Sequence, residues 1–323
     1  MRILSTVVEP CGRKGTRPAS LFAVICMLCV GSLASLAAAA SSVPEDKPTS
    51  APGKSYALIV VGLPGDKDHE VRFAATVERW GAWLTGTLAF EPADVHVLFT
   101  PHPNPLSPVN RGTGEGVREA NKGLAQGPAT AESIEKEAAE LKQRLSPEDR
   151  LWVFFVGHAD YDGQHAYFHL PGRDLNEKRL GQLFAGIRCR EQIFFLTTTV
   201  SGWFLKALSA KNRIVITATA ADEEFNETEF PEALATVCGR SLAQLDSNKD
   251  GRVSVLELFQ HTVAEVNARF AADKRIPTEH AQLDDNGDGL GTEEPALAKG
   301  TKPGGDGALA AKTFLAFRRN NHK

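Results

Sequence analysis

The segment that decides the fold begins with Leu151-Trp-Val-Phe-Phe-Val156 and ends with a second apolar run, Ile193-Phe-Phe-Leu196. Small polar residues follow each run, with Gly157 and His158 after the first and three threonines ending at Thr199 after the second. Continuous apolar runs bounded by turn residues are typical of strands that are buried on both faces. Residues 176–187, between the runs, carry apolar side chains at helical spacing. The segment therefore predicts a parallel strand–helix–strand unit, with His158 and Thr199 at neighbouring carboxyl ends.

Strands and helices alternate over most of the remaining chain. Apolar runs predict further strands at residues 56–61, 95–99 and 213–218. Helical spacing predicts helices at residues 71–84, 130–145, 201–208 and 231–237. Five or six strands with helices between them predict an α/β protein, a three-layer α/β/α sandwich with a mostly parallel sheet. This domain is expected to span residues 56–240, and residues 312–317 are a candidate for a last edge strand.

The first 40 residues have the pattern of a secretory signal peptide. Four basic residues precede an apolar stretch at residues 21–36, and alanines at residues 37–40 offer a cleavage site. An uncleaved membrane anchor is the alternative, although the apolar stretch is short for a membrane span. Residues 41–55 are rich in Ser, Pro and charge, which is typical of a linker. We therefore expect an exported protein that has no membrane attachment after cleavage.

The net charge of the exported chain bears on its partners, and its cysteines bear on a possible disulfide. Without residues 1–40 it has a formal net charge of −7, which argues against a nucleic-acid partner. Only Cys189 and Cys238 remain after cleavage. An oxidising compartment permits a disulfide between them, and two buried thiols are equally consistent with the sequence.

Residues 246–257 have the spacing of an EF-hand calcium loop. Oxygen-bearing groups stand at loop positions one, three, five, seven, nine and twelve: Asp246, Asn248, Asp250, the backbone carbonyl of Arg252, Ser254 and Glu257. Gly251 permits the left-handed turn that folds such a loop. Ca²⁺ prefers about seven oxygen ligands, so the pattern predicts bound Ca²⁺ within an EF-hand region at residues 241–294. An acidic surface turn is the alternative.

A second acidic loop places Asp284, Asn286 and Asp288 at the same spacing. Its twelfth position is Pro295, which cannot supply the closing carboxylate. Two interpretations remain open for this loop. It either binds Ca²⁺ weakly through a non-standard shell, as one half of an EF-hand pair, or forms an Asp/Asn/Gly turn.

In several segments the chain resembles the legumain-like cysteine peptidases, which share the caspase-type fold. Residues 56–62 look like the family's first strand, and residues 146–160 look like its third strand, which ends at a catalytic His-Gly. Residues 167–175 are similar to the segment after that histidine. Residues 192–202 match the strand that presents the catalytic cysteine in the pattern Ala-Cys-Glu-Ser-Gly, and residues 213–221 match the strand that leads to the substrate-binding loops. The resemblance implies a caspase-like sandwich with a helix–loop–helix EF-hand after it.

The resemblance places His158 on the catalytic histidine and Thr199 on the nucleophilic cysteine. Ala159 replaces the glycine after the histidine, and Arg72 corresponds loosely to an arginine of the specificity pocket. A thiol is ionised readily near neutral pH, whereas a threonine hydroxyl needs a base that a third group orients. Asp160 is a candidate for that third group. The substitution predicts that Thr199 and His158 are vestigial.

The leading hypothesis is an exported calcium-binding protein that is catalytically silent and binds a peptide or protein ligand in the former cleft, or has a structural role. The runner-up is an active hydrolase that uses Thr199 or Ser201 with His158, although Ser201 is better placed to cap the following helix. A third hypothesis treats the calcium loop as a switch. The steady Ca²⁺ concentration outside cells favours a constitutive structural ion instead.

Overall fold

The computed structural model describes residues 53–100, 121, 123–222, 224–295 and 305–318, which belong to one compact unit. The predicted signal peptide, nearly all of the linker and most of the long connection at residues 101–128 lie outside the described residues. None of the helices in the described part of the chain is long and apolar enough to cross a lipid bilayer.

The strands, numbered along the chain, are β1 Ser55–Val61, β2 Val95–Phe99, β3 Ala125–Gly127, β4 Arg150–Val156, β5 Ala159–Tyr161, β6 Ala166–Phe168, β7 Leu175–Asn176, β8 Glu191–Leu196, β9 Arg213–Thr217 and β10 Gln282–Asp284. Seven of them form one sheet in the order β10-β9-β8-β4-β1-β2-β3. All neighbours in this sheet are parallel except β10, which is antiparallel to β9. The remaining three strands form a small antiparallel sheet. The predicted α/β fold with a mostly parallel sheet is confirmed.

The described helices pack against both faces of the large sheet. They are α1 Lys67–Ala82, α2 Ala131–Arg144, α3 Glu177–Phe184, α4 Gly202–Leu208, α5 Phe230–Cys238, α6 Leu242–Leu245 and α7 Val255–Ala272. Apolar residues of α1, α5 and α7 share one core with alternate residues of β1 and β4, and those of α2, α3 and α4 share the other core. This arrangement is compatible with the predicted three-layer sandwich.

The two decisive apolar runs form the centre of the sheet. Phe154 of β4 lies opposite Phe195 of β8 in the parallel register, and their rings stack with centroids 4.9 Å apart and planes 4° apart. Trp80 of α1 packs on Phe154 from the helical layer, with a centroid distance of 5.1 Å. Aromatic pairs at such distances stabilise a core beyond the area that they bury. They fix the two strand ends that carry His158 and Thr199.

The C-terminal part of the chain differs from the prediction in two respects. Residues 312–317, the candidate for a last edge strand, contain the end of a 3-10 helix and form only isolated bridges, from Phe314 to Ser254 and from Phe317 to Leu88. The edge strand is β10 instead. It ends at Asp284, the first residue of the second acidic loop, and Leu283 contributes to the same core as α7. The segment 241–294 therefore shares the core of the α/β domain.

Candidate functional site

The carboxyl ends of strands β1, β4 and β8 lie side by side, and glycines let the segments that follow β1 and β4 approach each other closely. Gly157 follows β4 with a φ of +147°, a conformation that favours glycine. A Cβ atom at Gly157 would lie 2.9 Å from the Cα atom of Gly62, which follows β1. This close approach sets the position of His158, the next residue along the chain.

Thr199 is buried and is bonded to the backbone of Ala159, the first residue of β5. Its hydroxyl donates to the carbonyl oxygen of Ala159 at 2.6 Å and accepts from the Ala159 N–H at 3.2 Å. The next residue, Val200, has a φ of +48°, which is an outlier for a β-branched side chain. Thr199 and His158 line the same small pocket, as predicted, but the hydroxyl is engaged by the backbone of Ala159.

Ser201 does not cap helix α4 as predicted. It occupies the N-cap position, but its side chain makes no capping hydrogen bond. The Ser201 Oγ accepts from the N–H groups of Ala218 and Thr219, both at 3.0 Å, and lies 3.1 Å from the Thr219 hydroxyl. Because this fully buried hydroxyl holds the turn after β9, it is not free to act as a nucleophile.

His158 is oriented by a backbone carbonyl. Its Nε2 donates to the Pro64 carbonyl oxygen at 3.1 Å, and burial lowers the pKa of the imidazole. The predicted orienting residue, Asp160, lies elsewhere, since its carboxylate is 3.3 Å from the Nε2 of His169. The His158 ring instead meets His69 edge-on, with centroids 4.7 Å apart. The triad predicted as a possibility through Asp160 does not form.

Three residues that the sequence did not identify as a group lie beside His158. His69 contacts Glu227 through Nε2, and Arg72 donates to the other Glu227 oxygen at 2.9 Å. Arg72 also lies 3.0 Å from a Glu232 oxygen. Arg72, His158, Thr199 and Glu227 line a pocket of about 20 Å³, which is enough for one water molecule. The loose correspondence of Arg72 with a pocket arginine was the only sequence signal for this cluster.

The first acidic loop is folded by its own oxygen atoms. Asp246 accepts from the N–H groups of Asp250 at 3.1 Å and Gly251 at 2.8 Å, and Asn248 Oδ1 accepts from Asp250 at 2.8 Å. Lys249 and Gly251 adopt positive φ values of 61° and 82°. These contacts wrap residues 246–251 so that the side-chain oxygens at loop positions one, three and five lie on one turn.

Glu257 has a second role, which the spacing of the loop does not indicate. It is fully buried at the third position of α7 and forms a capping box with Ser254, the N-cap residue. One carboxylate oxygen accepts from Ser254, while the other accepts from the N–H of Ser247 at 3.0 Å and Asn248 at 3.3 Å. The carboxylate thus closes the loop from its twelfth position. The entering helix, α6, is only a single turn.

The two acidic loops do not form an EF-hand pair. The second half of the first loop pairs with the C-terminal segment, since the Val255 N–H donates to the Thr313 carbonyl oxygen at 2.8 Å and the Leu315 N–H donates to that of Val253 at 2.8 Å. The pairing that the separation of the two loops would suit is not formed, because β10 places the second loop at the sheet edge and the C-terminal segment bonds to the first loop.

The second acidic loop has an analogous turn and an additional carboxylate. Asp284 accepts from the N–H groups of Gly287 at 3.0 Å and Gly289 at 3.1 Å, and Asn286 Oδ1 accepts from Asp288 at 2.8 Å. Asp306, from the C-terminal segment, accepts from the Asp285 N–H at 3.2 Å. Burial and the neighbouring loop carboxylates raise the pKa of Asp306 to about 6. Asp306 was missed because its place beside the loop depends on the tertiary fold.

Cys189 and Cys238 are free thiols, so the disulfide that the sequence left open is not formed. Cys238 belongs to the core on one face of the sheet, whereas Cys189 packs against the core on the other face. Burial raises the pKa of Cys189 to about 11, so this thiol is not activated as a nucleophile.

A buried carboxyl group near the site predicts a pH dependence of stability. Glu279 accepts from the Glu229 N–H at 3.0 Å, and burial raises the pKa of Glu279 from 4.5 to about 8. Between these pH values the unfolded chain ionises this carboxyl while the folded chain keeps it protonated, so the wild type loses stability as pH rises. Glu279→Gln keeps an acceptor oxygen and removes this loss. We expect its advantage in unfolding free energy to grow between pH 5 and 8, measured by urea titration. An advantage that is the same at every pH would contradict this prediction.

No protein-family model matches the chain, and no curated protein matches it.

Proposed function

We propose that this is an exported calcium-binding protein whose α/β domain is a catalytically silent relative of the legumain-like, caspase-fold peptidases. The observation that carries the proposal is the folded state of residues 246–257. All six predicted ligand positions lie in a loop that Glu257 closes from a fully buried position. Hard oxygen donors at these positions suit Ca²⁺. The second loop, with Asp284, Asn286 and Asp288, is the weaker candidate.

Catalytic silence is supported by the state of the two hydroxyl groups beside His158. The Thr199 hydroxyl donates a hydrogen bond to the carbonyl oxygen of Ala159. The Ser201 hydroxyl accepts hydrogen bonds from two backbone N–H groups that follow β9. A nucleophilic hydroxyl needs a hydrogen bond to the base that removes its proton. The imidazole of His158 instead points its Nε2 at a backbone carbonyl. Both features favour a binding or structural role over bond cleavage.

A ligand of the former cleft would bind mainly outside the pocket. The space beside His158 admits one water-sized molecule, so a peptide would lie across the pocket mouth and contact Arg72 and Glu227 at its rim. The proposal of export rests on the sequence of residues 1–40, which has the pattern of a secretory signal peptide. The alternative function is a hydrolase that uses Thr199 or Ser201 with His158.

A panel of fluorogenic peptides separates these two functions. We expect the wild type to release no more fluorophore than His158→Ala or Thr199→Val, since neither hydroxyl is bonded to the imidazole. His165→Ala is the matched control, because the His165 ring is bonded to Glu177 at 2.8 Å, outside the pocket. Turnover by the wild type that both pocket variants abolish and the control retains would establish the hydrolase.

A further inference from the structure

We propose that His69, His158 and Glu227 form a zinc site at the carboxyl edge of the sheet, separate from both acidic loops. Each residue offers one ligand atom, and these three atoms all lie within 4.8 Å of one another. Two histidines and one glutamate are a known ligand set for Zn²⁺ sites that keep a fourth position for water. Nitrogen donors favour Zn²⁺ over Ca²⁺, which prefers oxygen ligands.

The three ligands come from separate segments that the fold brings together. His69 is in the first turn of α1, His158 follows β4, and Glu227 lies in the connection between β9 and α5. Bond lengths to zinc of 2.0–2.2 Å place tetrahedral ligand atoms about 3.3 Å apart. To admit an ion, the Nε2 of His69 and the Oε1 of Glu227, which are in direct contact, move apart, and the ligand atoms that are farther from each other move closer. The half-exposed side chain of Glu227 has room for this movement on its solvent side.

Groups outside the cluster orient both imidazoles as ligands. The Nε2 of His158 donates to the Pro64 carbonyl, which leaves Nδ1 with its lone pair. The Nδ1 of His69 lies 2.7 Å from an Asp66 oxygen, in an ion-pair contact that is not aligned as a hydrogen bond, while its Nε2 faces Glu227. Metal-ligating histidines generally have a carbonyl or carboxylate on the ring nitrogen that does not bind the metal.

The local charge also favours a cation. Three carboxylates surround the cluster, those of Asp66, Glu227 and Glu232, whereas the guanidinium of Arg72 pairs with only two of them. One guanidinium leaves net negative charge here, which water partly screens at the exposed carboxylates of Asp66 and Glu227 and which a divalent ion would reduce further. Arg72 holds the Oε2 atom of Glu227, so the Oε1 atom remains directed toward His69.

The pocket beside the cluster provides the fourth position. It is lined by His158, Glu227 and Thr199, and its volume of about 20 Å³ holds one water molecule. The competing explanation is a structural clasp in which the His69–Glu227 contact holds the connection after β9 against α1 without any metal. The two explanations differ in zinc affinity, which is directly measurable.

The test is a zinc titration of the full-length protein without a histidine tag, in excess Ca²⁺ so that the acidic loops are saturated. Competition with a chromophoric chelator measures affinity, and the visible spectrum of bound Co²⁺ reports nitrogen ligation. We expect one Zn²⁺ per chain in the wild type and in Glu257→Gln. His69→Ala, His158→Ala and Glu227→Gln should each weaken binding at least 100-fold, and Asp66→Asn roughly 10-fold to 100-fold.

His165→Ala controls for the loss of any surface histidine and should leave zinc affinity unchanged. Glu227→Gln alters an exposed side chain, so it remains informative if a histidine variant fails to fold. Zinc binding that is absent in the wild type, or equal in Glu227→Gln and the wild type, would overturn the proposal and leave the structural clasp.

Discussion

Glu257→Gln is expected to abolish the calcium-dependent rise in melting temperature. A glutamine retains the capping box with Ser254, because its amide oxygen accepts the same backbone N–H. Its NH₂ group cannot accept from the N–H groups of Ser247 and Asn248, so we expect the calcium-free variant to melt below the calcium-free wild type. The glutamine cannot give two anionic oxygens to Ca²⁺ from loop position twelve. The difference between melts in Ca²⁺ and in chelator therefore reports the lost calcium ligand, and the melt in chelator reports the lost hydrogen bonds.

The expected effect is large because ligand binding stabilises the folded state by mass action. At a Ca²⁺ concentration 100 times the dissociation constant, the wild type gains about 2.7 kcal/mol in unfolding free energy. For a domain of this size each kcal/mol raises the melting temperature by roughly 2–4 °C. We expect calorimetric melts of the wild type to shift by roughly 5–10 °C between chelator and Ca²⁺, and those of Glu257→Gln to coincide.

A matched variant in the second loop tests which loop binds the ion. Asp288→Asn leaves residues 246–257 intact and should keep most of the calcium-dependent shift. If Glu257→Gln keeps the full shift while Asp288→Asn loses it, the assignment of the stronger site to the first loop is wrong. If neither wild type nor variant responds to Ca²⁺, both acidic loops are turns stabilised by their own hydrogen bonds.

The central strands were predictable because their chemistry is local. The runs ending at Val156 and Leu196 contain no polar side chain that would need a solvent-exposed face. They therefore fit the middle of a sheet that is covered on both faces. The edge strand β10 was not predictable in this way. Its three residues, Gln282–Asp284, are too few for their alternation to be a signal, and they become a strand because β9 offers them a free edge.

The site was predictable where sequence motifs carry it and hidden where only the tertiary fold creates it. Placing His158 and Thr199 at adjacent strand ends follows from parallel topology. The bond from Thr199 to Ala159, and the use of Ser201 by the turn after β9, depend on how the loops meet. Likewise, Glu227 has no motif around it and reaches His69 only through the connection that follows β9.

Gly202 packs directly against the backbone of the segment that follows β9. It begins helix α4, and under the proposed relationship to the legumain-like peptidases it is the last residue of the Ala-Cys-Glu-Ser-Gly pattern. A Cβ atom here would lie 2.3 Å from the carbonyl carbon of Ala220 and 2.4 Å from the Ala221 nitrogen. These are backbone atoms, which no side-chain rotation can move. The glycine therefore lets the loop that carries Thr199 pack on the segment after β9.

Gly202→Ala is accordingly expected to destabilise the protein by about 3 kcal/mol or more, the upper range for inserting a methyl group into a packed region. Gly86→Ala is the matched control, since a Cβ atom there meets nothing within 4 Å. Chemical denaturation should show a large loss for Gly202→Ala and little change for Gly86→Ala. Because the displaced segment leads to Glu227, zinc affinity should fall as well. Equal stability of the two variants would mean that residues 220–221 move aside freely, and the close packing behind Thr199 would not be required.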